Sequence, residues 1–159
     1  SGHGIVFSAT ADTANASNIN ELLDDYEEGT FTPEFHVEGQ GQASLSDATG
    51  EYIKVGRMVT VTLRAGISNP PNAASNRAWE FRNLPFTSSN HGGSNTLMTA
   101  ISLRLSGINT STAVSSFQGF LYNNANHGRI EAWSGDNPVN SSVYMDGANA
   151  AISVTYCTA

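Results

Sequence analysis

Val59-Thr60-Val61-Thr62-Leu63-Arg64 alternates apolar and polar residues without a break, inside a longer run from Met58 to Ile67. Side chains of an extended strand point to opposite faces in turn. Val59, Val61 and Leu63 therefore share one face, and the two threonines and Arg64 share the other. Residues branched at Cβ favour this backbone. One greasy face and one wet face are what an antiparallel sheet packed on a core requires. The pattern recurs: Ile101, Leu103 and Leu105 alternate with Ser102 and Arg104, and Ile152, Val154 and Tyr156 alternate with Ser153 and Thr155. Strands are expected at 31–37, 50–55, 58–67, 78–82, 96–105, 114–123, 129–133, 142–146 and 150–157. Between them, Ser68 to Asn72, Ser88 to Asn95, Asn123 to Gly128 and Ser134 to Asn140 have turn and loop compositions. Eight or nine strands at this spacing predict an all-β domain, an antiparallel β-sandwich of jelly-roll type.

The rest of the composition agrees. The chain has 159 residues, enough for one domain with a core that needs no disulfide staples. Charged residues are 13%, about half the usual share, and 19 Ser, 14 Thr and 16 Asn supply the polarity instead. That mixture suits strands joined by many turns. Seven basic against 14 acidic residues leave a net charge of −7. A nucleic-acid binder needs a cationic footprint and an anionic membrane surface attracts one, so both partners are disfavoured, while neutral glycans stay compatible. No apolar run approaches the roughly 18 residues of a membrane span, so no membrane insertion is expected. No signal peptide is apparent, and Ser1-Gly2-His3-Gly4 reads as the edge of a fragment. The single Cys157 has no internal disulfide partner and is expected to be a buried, inert thiol.

The first 30 residues differ from the remainder. Ile5-Val6-Phe7 is an apolar knot in a small, polar segment, too little to build a core of its own. Ile19, Leu22, Leu23 and Tyr26 fall at i, i+3, i+4 and i+7, and Asn18 and Glu21 suit a capped start. A short helix ending at Gly29 is expected. It is too short to stand alone in water, and its acidic residues crowd the end where the macrodipole disfavours them. Residues 1–30 are thus an extension and helix serving oligomer contact, with Ile5, Phe7, Ile19, Leu22, Leu23 and Tyr26 as candidate contacts, and residues 31–159 are the sandwich.

The chain offers little catalytic chemistry. His3, His36, His91 and His127 lie far apart with no ligand spacing, so neither a metal nor another cofactor is expected. Asp24, Asp25, Glu27 and Glu28 read as a solvated acidic face. No Gly-x-Ser-x-Gly elbow occurs. Glu80, Glu131, Asp136 and Asp146 are carboxylates near strands or loops, but nothing pairs them as a glycosidase requires. The chain is not expected to be an enzyme.

Leu22-Leu23-Asp24-Asp25-Tyr26-Glu27-Glu28-Gly29-Thr30-Phe31-Thr32-Pro33 resembles the "LDDYEEGTWTP" stretch of bacteriophage tail-fibre and tailspike C-terminal regions, with Phe31 in place of the usual Trp. Gly50 to Val61 is similar to that family's "Y-x-K-[IV]-G-x-x-V-x-V" hairpin, Asn83-Leu84-Pro85-Phe86 to its "LPF" turn, and Ile152 to Tyr156 to its closing strand. Apart from that turn, Asn69 to Asn149 carries no such wording, so no binding residue is transferred. The resemblance implies a homotrimeric distal module of the virion, assembled in the host cytoplasm. It would recognise, or support recognition of, a bacterial surface polysaccharide such as lipopolysaccharide or capsule.

In the hairpin, Gly56 supplies the permissive φ for chain reversal, while Lys54 and Arg57 keep the tip in water. A glycan site needs an aromatic platform and short, well-fixed hydrogen-bonding groups. The richest stretch is Tyr122-Asn123-Asn124-Ala125-Asn126-His127-Gly128-Arg129, followed by Trp133, Asp136 and Asn137, with glycines that let a ligand approach. The candidates are Tyr122, Asn123, Asn126, His127, Arg129, Trp133, Asp136 and Asn137. Trp79 is a second platform, with Phe81 expected on the opposite strand face. The alternatives are a structural module that trimerises and caps the fibre, or part of a polysaccharide depolymerase.

Overall fold

The computed structural model describes residues 5–6, 22–23, 26–71, 77–90, 98–110, 113–140 and 143–158. In chain order the strands are β1 (Ile5–Val6), β2 (Leu22–Leu23), β3 (Tyr26–Phe31), β4 (Glu34–Val37), β5 (Gly41–Gln42), β6 (Ser44–Val55), β7 (Met58–Ser68) and β8 (Trp79–Arg82). There follow β9 (Thr99–Ala100), β10 (Ser102–Ser106), β11 (Asn109–Thr110), β12 (Ser116–Leu121), β13 (Gly128–Ser134), β14 (Asn137–Pro138), β15 (Val143–Tyr144) and β16 (Asn149–Cys157).

Two large antiparallel sheets face each other. One has five strands in the order β10-β16-β7-β6-β3. The other has seven, in the order β5-β4-β8-β13-β12-β9, with β14 on β13. The alternation in β7 decides which face is inside: Val59, Val61, Leu63, Ala65 and Ile67 are buried, and Met58, Thr60, Thr62 and Arg64 are exposed. Ile152, Val154 and Tyr156 of β16 join them. The opposing sheet contributes Phe35, Val37, Trp79, Phe81, Leu121, Ile130 and Ala132 to the same core. Each large side chain buried there is worth about 1.5–3 kcal/mol relative to exposure.

The hairpin between β6 and β7 has two central residues, Gly56 and Arg57, between the partners Val55 and Met58. Gly56 takes φ +57°, as the first position of a type II′ turn needs. Arg57 is exposed at the tip and its Nε donates to the Thr158 carbonyl at 3.1 Å. Lys54 departs from expectation. It is half-buried, with Nζ 5.7 Å from the centroid of the Phe86 ring, because its strand position faces inward beside Val59.

The expected helix is corrected where it can be seen. Among the described residues there is no helix around Tyr26 to Gly29. Those residues lie in β3, paired along its length with Gly50 to Val55 of β6. A six-residue ladder outweighs a short helix whose C-terminal end carries the wrong charge. Gly29 fits because the Tyr52 ring occupies the place of a side chain. Glu27 and Glu28 consequently sit on opposite faces and do not form one acidic face. Glu27 accepts a hydrogen bond from Tyr52 at 2.7 Å and Glu28 one from Tyr26 at 2.6 Å. Leu22 and Leu23 are also extended, pairing with Val6 and Ile5. Phe7, Ile19, Asp24 and Asp25 lie outside the described residues. Cys157 is exposed, not buried, since it follows the inward Tyr156 on β16.

Candidate functional site

On β13, Gly128, Ile130 and Ala132 turn inward while Arg129, Glu131 and Trp133 turn outward. The register then sets His36, Glu80, Arg129 and Phe120 in one row across four strands of the seven-stranded sheet. The charges of this outer face satisfy one another. Glu80 is buried, and its Oε2 accepts from Arg82 Nε at 2.9 Å and Nη2 at 2.5 Å. Arg129 Nη2 donates to Glu38, and Arg129 Nε lies 3.5 Å from Glu131 Oε1 without forming a hydrogen bond. His36 Nε2 is 2.8 Å from Glu34 Oε2. A charge taken partly out of water is costly unless paired, which accounts for the interlocking.

Tyr122 and His127 border this lattice. The Tyr122 ring meets Phe120 edge-on at 5.2 Å and His127 at 5.1 Å. Burial pushes the Tyr122 phenol above its ordinary range, against the pull of Arg129 and with further help from Glu80 and Glu38. Burial also pushes the His127 imidazole down, opposed by Glu80.

The sequence-predicted residues fall into separate groups. Tyr122, His127 and Arg129 come together. Trp133 shares their face but lies four positions along the strand, about 13 Å from Arg129. Its half-buried indole has no partner for Nε1 among the described residues. Asp136 follows in the exposed β13–β14 turn, where Gly135 takes φ +58°, and the exposed Asn137 opens β14, paired with Ser134. Asn126 is exposed, and the Asn123 amide donates to Asn90 Oδ1 at 3.2 Å.

Two expectations fail here. Trp79 is 2% exposed, in the core with Phe81, because residues two apart on a strand share a face. Gly128 faces Phe81, not a ligand. Of the unpaired carboxylates, Glu80 is held by Arg82, Glu131 adjoins Arg129, and Asp146 Oδ1 accepts from the Asn69 amide at 2.8 Å.

Sequence reasoning, intent on loops, missed the outer face of the five-stranded sheet. Thr60, Thr62 and Arg64 of β7 lie there beside Thr155, Ser153 and Ala151 of β16. Three shallow depressions of about 600, 580 and 470 Å³ run along it. They adjoin through shared walls: Arg64 and Ala151 belong to the first two, Glu51 and Thr62 to the first and third. At one end Tyr26, Ile53, Val55 and Met58 form an apolar patch, 39–56% exposed. The signal was present, since the residues that alternate with the core define this face.

No family model matches the chain. No curated protein matches it either. Among solved structures, the Dettilon tailspike protein has the same fold, with a TM-score of 0.58 at 14% identity over 84% of this chain and 24% of the tailspike. The chain thus spans about a quarter of the length of that tailspike.

Proposed function

We propose that this chain is a distal module of a phage tail fibre or tailspike. In this reading it is a jelly-roll-type sandwich that assembles as a homotrimer in the virion and binds polysaccharide on the host surface without catalysis. The observation that carries the proposal is the fold shared with a tailspike. The "LDDYEEGTFTP" wording at Leu23 to Pro33 supports it. Three copies on one fibre would turn weak individual sites into firm attachment. The test combines light scattering with binding of fluorescent protein to host cells and a glycan array. A trimer that binds cells and glycans supports the reading. Release of reducing ends from host polysaccharide would replace it with a depolymerase.

A second reading, a module that trimerises and caps the fibre without its own ligand, is favoured by the exposed apolar patch at Tyr26, Ile53, Val55 and Met58. An apolar cluster on an outer sheet face suits contact with another subunit. A trimer that binds neither cells nor glycans would select it.

A further inference from the structure

We infer that the outer face of the five-stranded sheet is a groove for a carboxylate-bearing polysaccharide, held between Arg64 and Arg104. The inference rests on the host-polysaccharide reading above and names the ligand class and the surface.

Arg64 on β7 and Arg104 on β10 are register partners of the same residue, Ala151, on the intervening strand β16. Their backbones are therefore roughly 10 Å apart, and both side chains rise from the outer face on either side of a methyl group. Both are exposed. Neither has an acidic partner among the described residues, whereas Arg82 and Arg129 are each tied to a glutamate. In a chain of net charge −7, two adjacent unpaired guanidinium groups need an explanation. A guanidinium matches a carboxylate with two parallel hydrogen bonds, which gives both direction and strength.

The surroundings favour a sugar chain over a compact or densely charged anion. Thr62, Ser153 and Ser102 form the next row across the same three strands and present short hydroxyls that cost little entropy to fix. From Thr60 to Gly66 the face extends about 20 Å along β7, long enough for several linked rings. Glu51 and Asp47 also line it. They would repel a polyphosphate, or any chain charged at every unit, but can accept hydrogen bonds from the hydroxyls of neutral rings. Sparse carboxylates separated by neutral, hydroxyl-rich rings therefore fit the groove better than a nucleic acid does.

The test is fluorescence polarisation of the full chain with labelled oligosaccharides of hyaluronan, heparosan and unsulfated chondroitin, in which uronic acids alternate with neutral rings, each beside its carboxyl-reduced form. R64Q, R104Q and the double variant are compared with R77Q as a control outside the groove, with melting temperature and light-scattering mass measured for each. The parent is expected to bind at least one acidic oligosaccharide and to lose tenfold or more on carboxyl reduction. Each single variant should lose about tenfold, and the double variant should fall to the level of the reduced ligand. R77Q should bind like the parent. Four outcomes overturn the inference: no binding of any of the three, equal binding of reduced and acidic forms, undiminished binding by the double variant, or a change of assembly mass in that variant, which would make the face a seam between subunits. Host-cell adhesion separates this from the broader proposal. Adhesion undiminished in the double variant removes the groove alone; a monomeric parent that adheres to nothing removes the tailspike reading as well.

Discussion

Gly128 begins β13 with its missing side chain aimed at the core, and the place of a Cβ is taken by the Phe81 ring and the Phe120 carbonyl oxygen. The ring is itself fully buried and the carbonyl is backbone, so neither can yield cheaply. Gly128→Ala should destabilise the chain by about 3 kcal/mol or more, read as a fall in the denaturant midpoint with unchanged slope. Tyr156 shows the opposite case, a polar atom carried into the core with its partner: its hydroxyl donates to the Phe86 carbonyl at 2.9 Å. Burial raises its phenol to about 12. Below pH 10, the ordinary tyrosine value, both folded and unfolded states keep the proton and stability is intact. Between pH 10 and 12 the unfolded chain loses it first, so stability falls as pH rises. Tyr156→Phe should cost about 1 kcal/mol at pH 8 and flatten the decline above pH 10, with a remaining slope from Tyr26, Tyr52 and Tyr122, which are also raised. Neither role could be read from a glycine in a turn-rich stretch or a tyrosine in an alternating strand. Alternation announces which face a residue takes, not which carbonyl or ring waits there.

Among the elements, the β12–β13 hairpin is fastened from outside itself. Ser88 Oγ donates to the Tyr122 carbonyl at 2.6 Å and accepts from the Ala125 amide at 3.1 Å, and the Ser88 amide donates to the Ala125 carbonyl at 2.9 Å. One buried hydroxyl thus ties the start of the loop, at Tyr122, to its middle, at Ala125, and spans the segment that carries Asn123. Ser88→Ala leaves two backbone groups without their partner and should cost about 1–3 kcal/mol, with faster amide exchange confined to residues 122–127. If exchange there is unchanged, the hydroxyl is not the fastener. Most strands of the sandwich were legible because Val59 to Leu63 or Ile152 to Tyr156 can bury one face only at period two. Tyr26 to Gly29 misled because Tyr26 completes a set of four apolar positions that match a helix by spacing, while the ladder that makes Tyr26 to Phe31 a strand is supplied by residues 50–55. Pairing between distant segments leaves no mark in the local period. For the same reason the candidate loops appeared as one stretch, although the fold separates Arg129 from Trp133 and sets Arg64 beside Arg104 across a third strand.

At the scale of the whole molecule, the two outer faces of the sandwich differ in how their charges are used. The seven-stranded sheet closes its ion pairs internally, Arg129 on Glu38 and Arg82 on Glu80, and so presents little unspent charge to a partner. The five-stranded sheet presents unpaired arginines at one end and Tyr26, Ile53, Val55 and Met58 at the other. The register places Tyr26 beside Val55 and Val55 beside Met58, so the apolar residues are contiguous across β3, β6 and β7. If the chain assembles as a trimer, this patch is the part of the described surface that gains most by leaving water, since closed rotational symmetry buries three copies at once. Ile53→Glu with Met58→Glu should therefore reduce a trimer to monomers at micromolar concentration in light scattering. Both side chains are about half exposed within one chain, so the cost to the isolated fold should stay within about 1 kcal/mol. Arg57→Ala, at the hairpin tip between them, alters no apolar area and should leave the mass unchanged. A double variant that remains trimeric would place the contact elsewhere and return weight to the segment holding Ile5, Leu22 and Leu23, where Leu22→Asp is the matching change. Because the apolar end and the arginine end share the continuous strands β6 and β7, assembly at one end would hold the other at a fixed distance from the fibre axis. Three grooves would then present the same strand face outward in a defined orientation.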